Sequence, residues 1–388
     1  MEPRPRVALA NRMLLRLWRS GVAPAPVLQE QALLRAAVGG DVRSVGDEQA
    51  WREPLQLLLR SLREEADLNP LGRTIAHAQI VDALRARRRA RALWRRHPEI
   101  AERSITAPVI VLGQMRSGTT RIHRLLACDH RFAHTRLFET LAPVPFGPPG
   151  SRERRAVKAW AVLTLLHALN PALAAIHPTG PYQPEEEFGL YNFSFASAQF
   201  EAQWRVPSFS RWWETAPMAG VYAEFAMLLR TIGWHRRDPP GKTWLLKAPQ
   251  FMQDLDALIA AFPGARLICL HRDPAQVVAS SASLVWNQMR VQSDAADPNW
   301  IGAEWLRKTR LRQERAKRVR HEHPQVPQID VDYEAVGRDW RGEMRRIYSF
   351  LGYDLQPETE ARMEAYLSRS KKHLGHAYSP ELFGLPSQ

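Results

Sequence analysis

Residues Gly113-Gln114-Met115-Arg116-Ser117-Gly118-Thr119-Thr120 have the types and spacing of a phosphate-binding loop, GxxxxG followed by two hydroxyl residues, between a short apolar run and an amphipathic one. Such a loop turns backbone N–H groups at a helix N-terminus toward an anion. Where nucleoside triphosphatases carry GK[ST], this chain has Gly118-Thr119-Thr120. The lysine that reaches the β and γ phosphates is therefore absent, and Arg116 brings the positive charge. The loop suits a single terminal phosphate held by amides and by the hydroxyls of Ser117, Thr119 and Thr120, without magnesium. The glycine spacing alone fits a plain turn equally well; the strand, the hydroxyl cluster and the helix around it favour the phosphate site.

Two further stretches have the same chemistry. In Leu267-Ile268-Cys269-Leu270-His271-Arg272-Asp273-Pro274 an arginine closes an apolar run, and Ser280 follows it eight residues later. Arg272 offers charge-assisted bonds and Ser280 a hydroxyl, although by themselves they also read as a helix cap and a small packing residue. Lys247 ends the run Trp244-Leu245-Leu246. A lysine and an arginine at neighbouring strand ends can converge on one anionic group, so Arg116 and Lys247 are the candidates for stabilising transition-state charge.

The Arg116 to Thr120 loop and the Arg272/Ser280 pair resemble the 5′-phosphosulfate loop and the 3′-phosphate site of the sulfotransferases that use 3′-phosphoadenosine-5′-phosphosulfate (PAPS), especially the bacterial branch related to tyrosylprotein sulfotransferases. Trp244 to Pro249, Asp332-Tyr333-Glu334 and His376-Ala377-Tyr378 to Phe383-Gly384-Leu385 are similar to further family segments. The resemblance implies transfer of a sulfuryl group from PAPS, as co-substrate and with no metal, to a hydroxyl of a small, lipophilic acceptor. It implies cofactor contacts at Arg116, Ser117, Gly118, Thr119, Thr120, Arg272, Ser280 and Tyr333, and places a glutamate base at Glu139. His123 and His134, flanking the same helix, are the fallback bases. At Gln250 many relatives carry histidine, which removes that position as a source of acid–base chemistry.

The elements that must position these residues are legible in the periodicity. Four βα units are expected, with strands near Pro108–Leu112, Trp244–Lys247, Leu267–Leu270 and Val326–Val331. Strands alternating with helices require crossovers, so the fold class is α/β: a parallel β-sheet flanked by helices, of P-loop nucleotide-binding type. Residues 1–105 form a helical N-terminal region, with helices expected over 51–62 and 75–94 and a turn at Asn69-Pro70-Leu71-Gly72. Residues 106–388 form the sulfotransferase-like α/β domain. Within it, prolines and aromatics over 141–240 mark an insertion that caps the site. Its Tyr191, Phe193, Phe195, Phe200, Trp204, Phe209 and Trp212 fit an acceptor tunnel or ordinary core packing. Glu185, Glu186 and Glu187 follow Pro184, where acids complement a helix dipole or line the acceptor pocket.

Composition bounds the partners. The 388 residues carry 54 Lys and Arg against 40 Asp and Glu, a net charge of +14, which attracts anions. The two cysteines, Cys128 and Cys269, form no metal or disulfide pattern and suit a reducing, cytoplasmic compartment. The apolar stretch 159–176 is interrupted by His167, Asn170 and Pro171 and is short for a membrane span, so a buried or membrane-surface helix is expected. The run Arg85 to Arg96 reads as a solvated helix face able to hold anionic lipid. A phosphotransferase is opposed by the missing lysine, and a nucleic-acid-binding protein by the lack of basic strands interleaved with aromatics.

Overall fold

The computed structural model describes residues 4–46, 50–151, 153–370 and 379–386; His376-Ala377-Tyr378 lie outside them. Five strands form the sheet: β1 Val109–Leu112, β2 Phe132–Ala133, β3 Thr243–Leu246, β4 Arg266–His271 and β5 Gln328–Asp332. Their order is β2-β3-β1-β4-β5, every pair parallel. β1 is an unbroken buried apolar tetrad, and β3 buries Trp244, Leu245 and Leu246 after the half-buried Thr243, as expected of strands covered by helices on both faces. β2 has no counterpart among the expected strands: two residues are too short to show a period, and they exist as a strand only by pairing with Thr243 and Trp244.

Register brings the chemistry together. Leu112 lies opposite Cys269, and His271 opposite Asp332. The residues that follow the strands, Gly113, Lys247, Arg272 and Tyr333, therefore emerge at one edge of the sheet. The strand order reverses at β1, which makes this edge the crevice where parallel sheets bind ligands.

The first hundred residues contain helices Pro5–Arg19, Glu30–Val38, Arg52–Glu64, Pro70–Arg96 and Glu99–Glu102. Leu33, Leu55, Leu58 and Leu84 from them share a core with Phe195, Phe200, Trp204 and Phe209 of the insertion. Asn69-Pro70-Leu71-Gly72 is a helix start rather than a free turn. The Asn69 side chain caps the Gly72 N–H at 2.8 Å, and Pro70 takes the first position. Gly72 is required there, because a Cβ would stand 2.0 Å from the Gln292 carbonyl oxygen.

The arginine run on helix Pro70–Arg96 is not one solvated face. Arg87 is fully buried, ion-paired with Glu224 at 2.6 Å and stacked on the Phe193 ring; Arg89 lies over the Phe146 ring. The helix runs between other helices, so part of any run of consecutive residues must point inward. The apolar stretch 159–176 divides between helices Arg155–Leu169 and Ala172–Ile176, broken at Asn170-Pro171. Among the described residues, no helix is long and apolar enough to cross a membrane.

Candidate active site

The loop leaves β1 and enters helix Thr119–Leu126 through two left-handed residues, Arg116 at φ +69° and Gly118 at φ +89°. Ser117 turns inward, its Oγ donating to Gln114 O at 2.7 Å, and so shapes the loop from within. Gly118 lets an aromatic ring approach: a Cβ there would lie 2.6 Å from Cδ2 of Tyr333. Over the same ring, 4.3 Å from its centroid, sits the Arg272 guanidinium. Arg272 Nη1 donates to Arg116 O at 2.8 Å, and Arg116 Nε donates to Ser280 Oγ at 3.0 Å. The two motifs, more than 150 residues apart in sequence, are thus directly bonded to each other.

At the end of β3, Lys247 is almost fully buried. Its Nζ donates to Thr120 Oγ1 at 3.2 Å and pairs with the Glu186 carboxylate. Arg116, Gly118, Thr119, Thr120, Glu186, Arg272 and Tyr333 all border one cavity of about 770 Å³. The cavity extends from the loop between helices Pro70–Arg96 and Arg155–Leu169, past Ile75, Ala78, Val162, Leu163 and Leu166. One end is therefore cationic and rich in hydroxyls and the other aliphatic, an arrangement for an anionic donor meeting an apolar partner.

A model of the sulfotransferase family matches residues 108–357, well over half of the chain. The chain belongs to the sulfotransferase family. It is similar in structure to sulfotransferase STF1 from Mycobacterium tuberculosis, with 28% identity, a TM-score of 0.80, and coverage of 93% of this chain and 97% of the other. Sulfotransferase STF9 from Mycobacterium avium shares the fold, with 24% identity, a TM-score of 0.78 and 93% coverage of both chains. No curated protein matches the chain.

In this sulfotransferase the carboxylate expected as base does not reach the cavity. Glu139 is fully buried, ion-paired with Arg236 and accepting the Arg136 N–H at 2.9 Å. It closes a capping box at the start of helix Leu137–Leu141. Of the fallback histidines, His123 is fully buried and His134 half-buried, and neither borders the cavity. Desolvation, reinforced by nearby Arg236, holds His134 down at about 3, and desolvation with the charge of Lys247 holds His123 well below its ordinary value. Gln250 is structural: its amide bridges Ala196 O, Ala198 N–H and Asp254.

The three consecutive glutamates have three different fates. Glu185 accepts from Thr179 Oγ1 at 2.7 Å and faces His177 at 3.1 Å. Burial by itself raises its carboxyl, but the charge and hydrogen bond of His177 together with the charges of Lys247 and Arg124 outweigh it and leave the group well below the ordinary carboxylate range. Glu187 lies under the sheet edge, accepting the Lys247 N–H at 2.9 Å and the Thr135 hydroxyl at 3.1 Å. Burial pushes it up to about 8. Glu186 alone of the three pairs with the Lys247 ammonium at the cavity wall.

Most of the insertion's aromatics pack in the core rather than line a tunnel; Phe188 and Phe193 are the ones that border the cavity. The aliphatic wall comes from helix Pro70–Arg96 instead, at positions whose sequence shows ordinary amphipathic spacing and no mark of a binding site. His177 and Thr179 likewise carry no sequence signal; only folding brings them to Glu185.

Proposed function

We propose that this sulfotransferase takes its sulfuryl group from PAPS and delivers it to a hydroxyl of a small lipophilic acceptor. The observation that carries the reading is the meeting of Lys247, Thr120 and Glu186 at the junction between the phosphate-type loop and the aliphatic cavity. The 5′-phosphate would rest on the N-terminus of helix Thr119–Leu126, with Thr119, Thr120 and Arg116 around it. The 3′-phosphate would fall to Arg272 and Ser280, and Tyr333 would flank the nucleotide. Ser117 supports the loop's shape.

In the reaction, the acceptor oxygen forms a bond to sulfur as the bond from sulfur to the 5′-phosphate oxygen breaks. The electron pair stays on that phosphate oxygen, where Lys247 and the loop amides neutralise it. The acceptor's proton passes to the Glu186 carboxylate. The donor's sulfonate competes with Glu186 for Lys247, which frees the carboxylate when both substrates are present. Glu186 rather than Glu139 is taken as base because Glu186 borders the cavity and pairs with Lys247, whereas Glu139 does not border it. The charge at the site comes from side chains, so no metal enters this scheme.

The aliphatic wall supports a lipophilic acceptor. Such a molecule resides in a bilayer, so a cytoplasmic protein in peripheral contact with an anionic membrane belongs to the same reading. Calorimetric titration with 3′-phosphoadenosine-5′-phosphate, beside ATP with magnesium, tests the donor. Tight binding of the bisphosphate and none of ATP is expected; the reverse would assign the loop to a phosphoryl donor.

A further inference from the structure

Large apolar side chains left in water are concentrated in two places. Among the described residues, eight of the twelve strongly exposed ones fall within residues 9–27 or on helix Arg155–Leu169. On that helix Val157, Trp160 and Leu165 are 69%, 64% and 59% exposed. With the exposed Ala161, Thr164 and Ala168 they recur at three and four positions, which puts them on one outward face. Helix Pro5–Arg19 is arranged alike. Val7, Ala10 and Leu14 point into the protein, which leaves Leu9, Met13 and Leu17 outward beside the exposed Arg12, Arg16 and Arg19. The two helices adjoin, Arg6 Nη1 donating to Ala168 O at 2.8 Å.

Charge identifies the partner. Neither helix contains an acidic residue, and residues 4–29 hold five arginines and no carboxylate. Apolar side chains in a row beside arginines, with no acids, are the pattern of a helix that lies in a lipid interface. A second copy of the chain fits poorly, because apposing this surface to itself sets arginine against arginine with no carboxylate in either helix. The outward face is also continuous with the cavity: Leu165 borders the cavity and is itself largely exposed.

We infer that helices Pro5–Arg19 and Arg155–Leu169 form a docking face for an anionic bilayer, from which a lipophilic acceptor enters the cavity beside Leu165. This face replaces the arginine run of helix Pro70–Arg96 as the membrane contact. The route of entry rests on the lipophilic-acceptor reading; the docking face does not.

The test is co-sedimentation of the full chain with vesicles of phosphatidylcholine, with and without phosphatidylglycerol. Binding is expected only where phosphatidylglycerol is present, and it should weaken about tenfold in Arg12→Glu/Arg16→Glu and in Val157→Asp/Trp160→Glu. None of these four side chains borders the cavity, so bisphosphate titration of the same samples should be unchanged. That titration also reports folding, and separates failure of the docking face from failure of the donor reading. No binding to anionic vesicles at low salt, or equal binding by wild type and both variants, overturns the proposal. So does a dimer in solution that Trp160→Glu dissociates, which would make the face an interface between copies.

Discussion

The Lys247 ammonium is paired with the Glu186 carboxylate at the cavity wall, with Thr120 Oγ1 3.2 Å from the same nitrogen. An ammonium held this way, almost without solvent contact, is preorganised for charge that develops during transfer. Lys247→Ala should lower kcat about 100-fold or more while changing the bisphosphate Kd much less. Steady-state kinetics with titration calorimetry would show the split; an unchanged kcat would place the charge stabilisation elsewhere.

Glu186 and Glu139 can be told apart by what their amides do. Glu186→Gln should lower turnover about 100-fold with bisphosphate affinity nearly intact. Glu139→Gln should act on stability instead, because it leaves Arg236 poorly paired in a site where both side chains are mostly buried. A loss of about 3 kcal/mol in denaturant unfolding is expected, with kcat close to wild type in the folded fraction. Turnover lost at Glu139 and kept at Glu186 would reverse the assignment.

The loop's fit to Tyr333 depends on one missing Cβ. In Gly118→Ala the new atom meets the Tyr333 ring and strains a left-handed backbone. The variant should lose about 1 kcal/mol of stability and bind the bisphosphate about tenfold more weakly as the ring is displaced. Arg272→Ala removes both the Tyr333 stack and the bond to Arg116 O, and should weaken the bisphosphate by about 10- to 100-fold. Calorimetry measures both; wild-type affinity in Arg272→Ala would remove that residue from the donor site.

Glu187 predicts a pH dependence of folding. Burial raises its carboxyl to about 8, so between the ordinary carboxylate range and about 8 the folded state holds a proton that the unfolded state has released. Stability from this group is complete at low pH and declines as pH rises through that window. Asp254, also raised to about 8 by burial, adds a decline of the same sign. Glu187→Gln cannot ionise, so its unfolding free energy should fall less steeply between pH 5 and 8. Equal slopes for the two proteins would show that Glu187 is ionised in the folded state.

Lys247, Arg272 and Tyr333 were legible in the sequence because each follows directly on an apolar run that reads as a strand, or on the strand's last residue. Parallel strands bring such positions to one edge by their register, so local patterning was enough to gather the residues of that sheet edge, the loop from Gly113 to Thr120 among them. Composition, through its net charge of +14, pointed toward anionic partners. The carboxylate beside Lys247, the cavity wall and the exposed apolar helix faces lay beyond this kind of reading. Glu139, Glu185, Glu186 and Glu187 are chemically alike, and no period governs an irregular segment, so which carboxylate meets Lys247 is set by where Arg236, His177 and Thr135 come to lie. The cavity is likewise built from Ile75 and Leu166, residues brought together only by the packing of helix Pro70–Arg96 beside helix Arg155–Leu169. Sequence determined the residues that act through the backbone element they terminate; tertiary structure decided those that act through what packs beside them, because side-chain partners distant in the chain are fixed by folding alone.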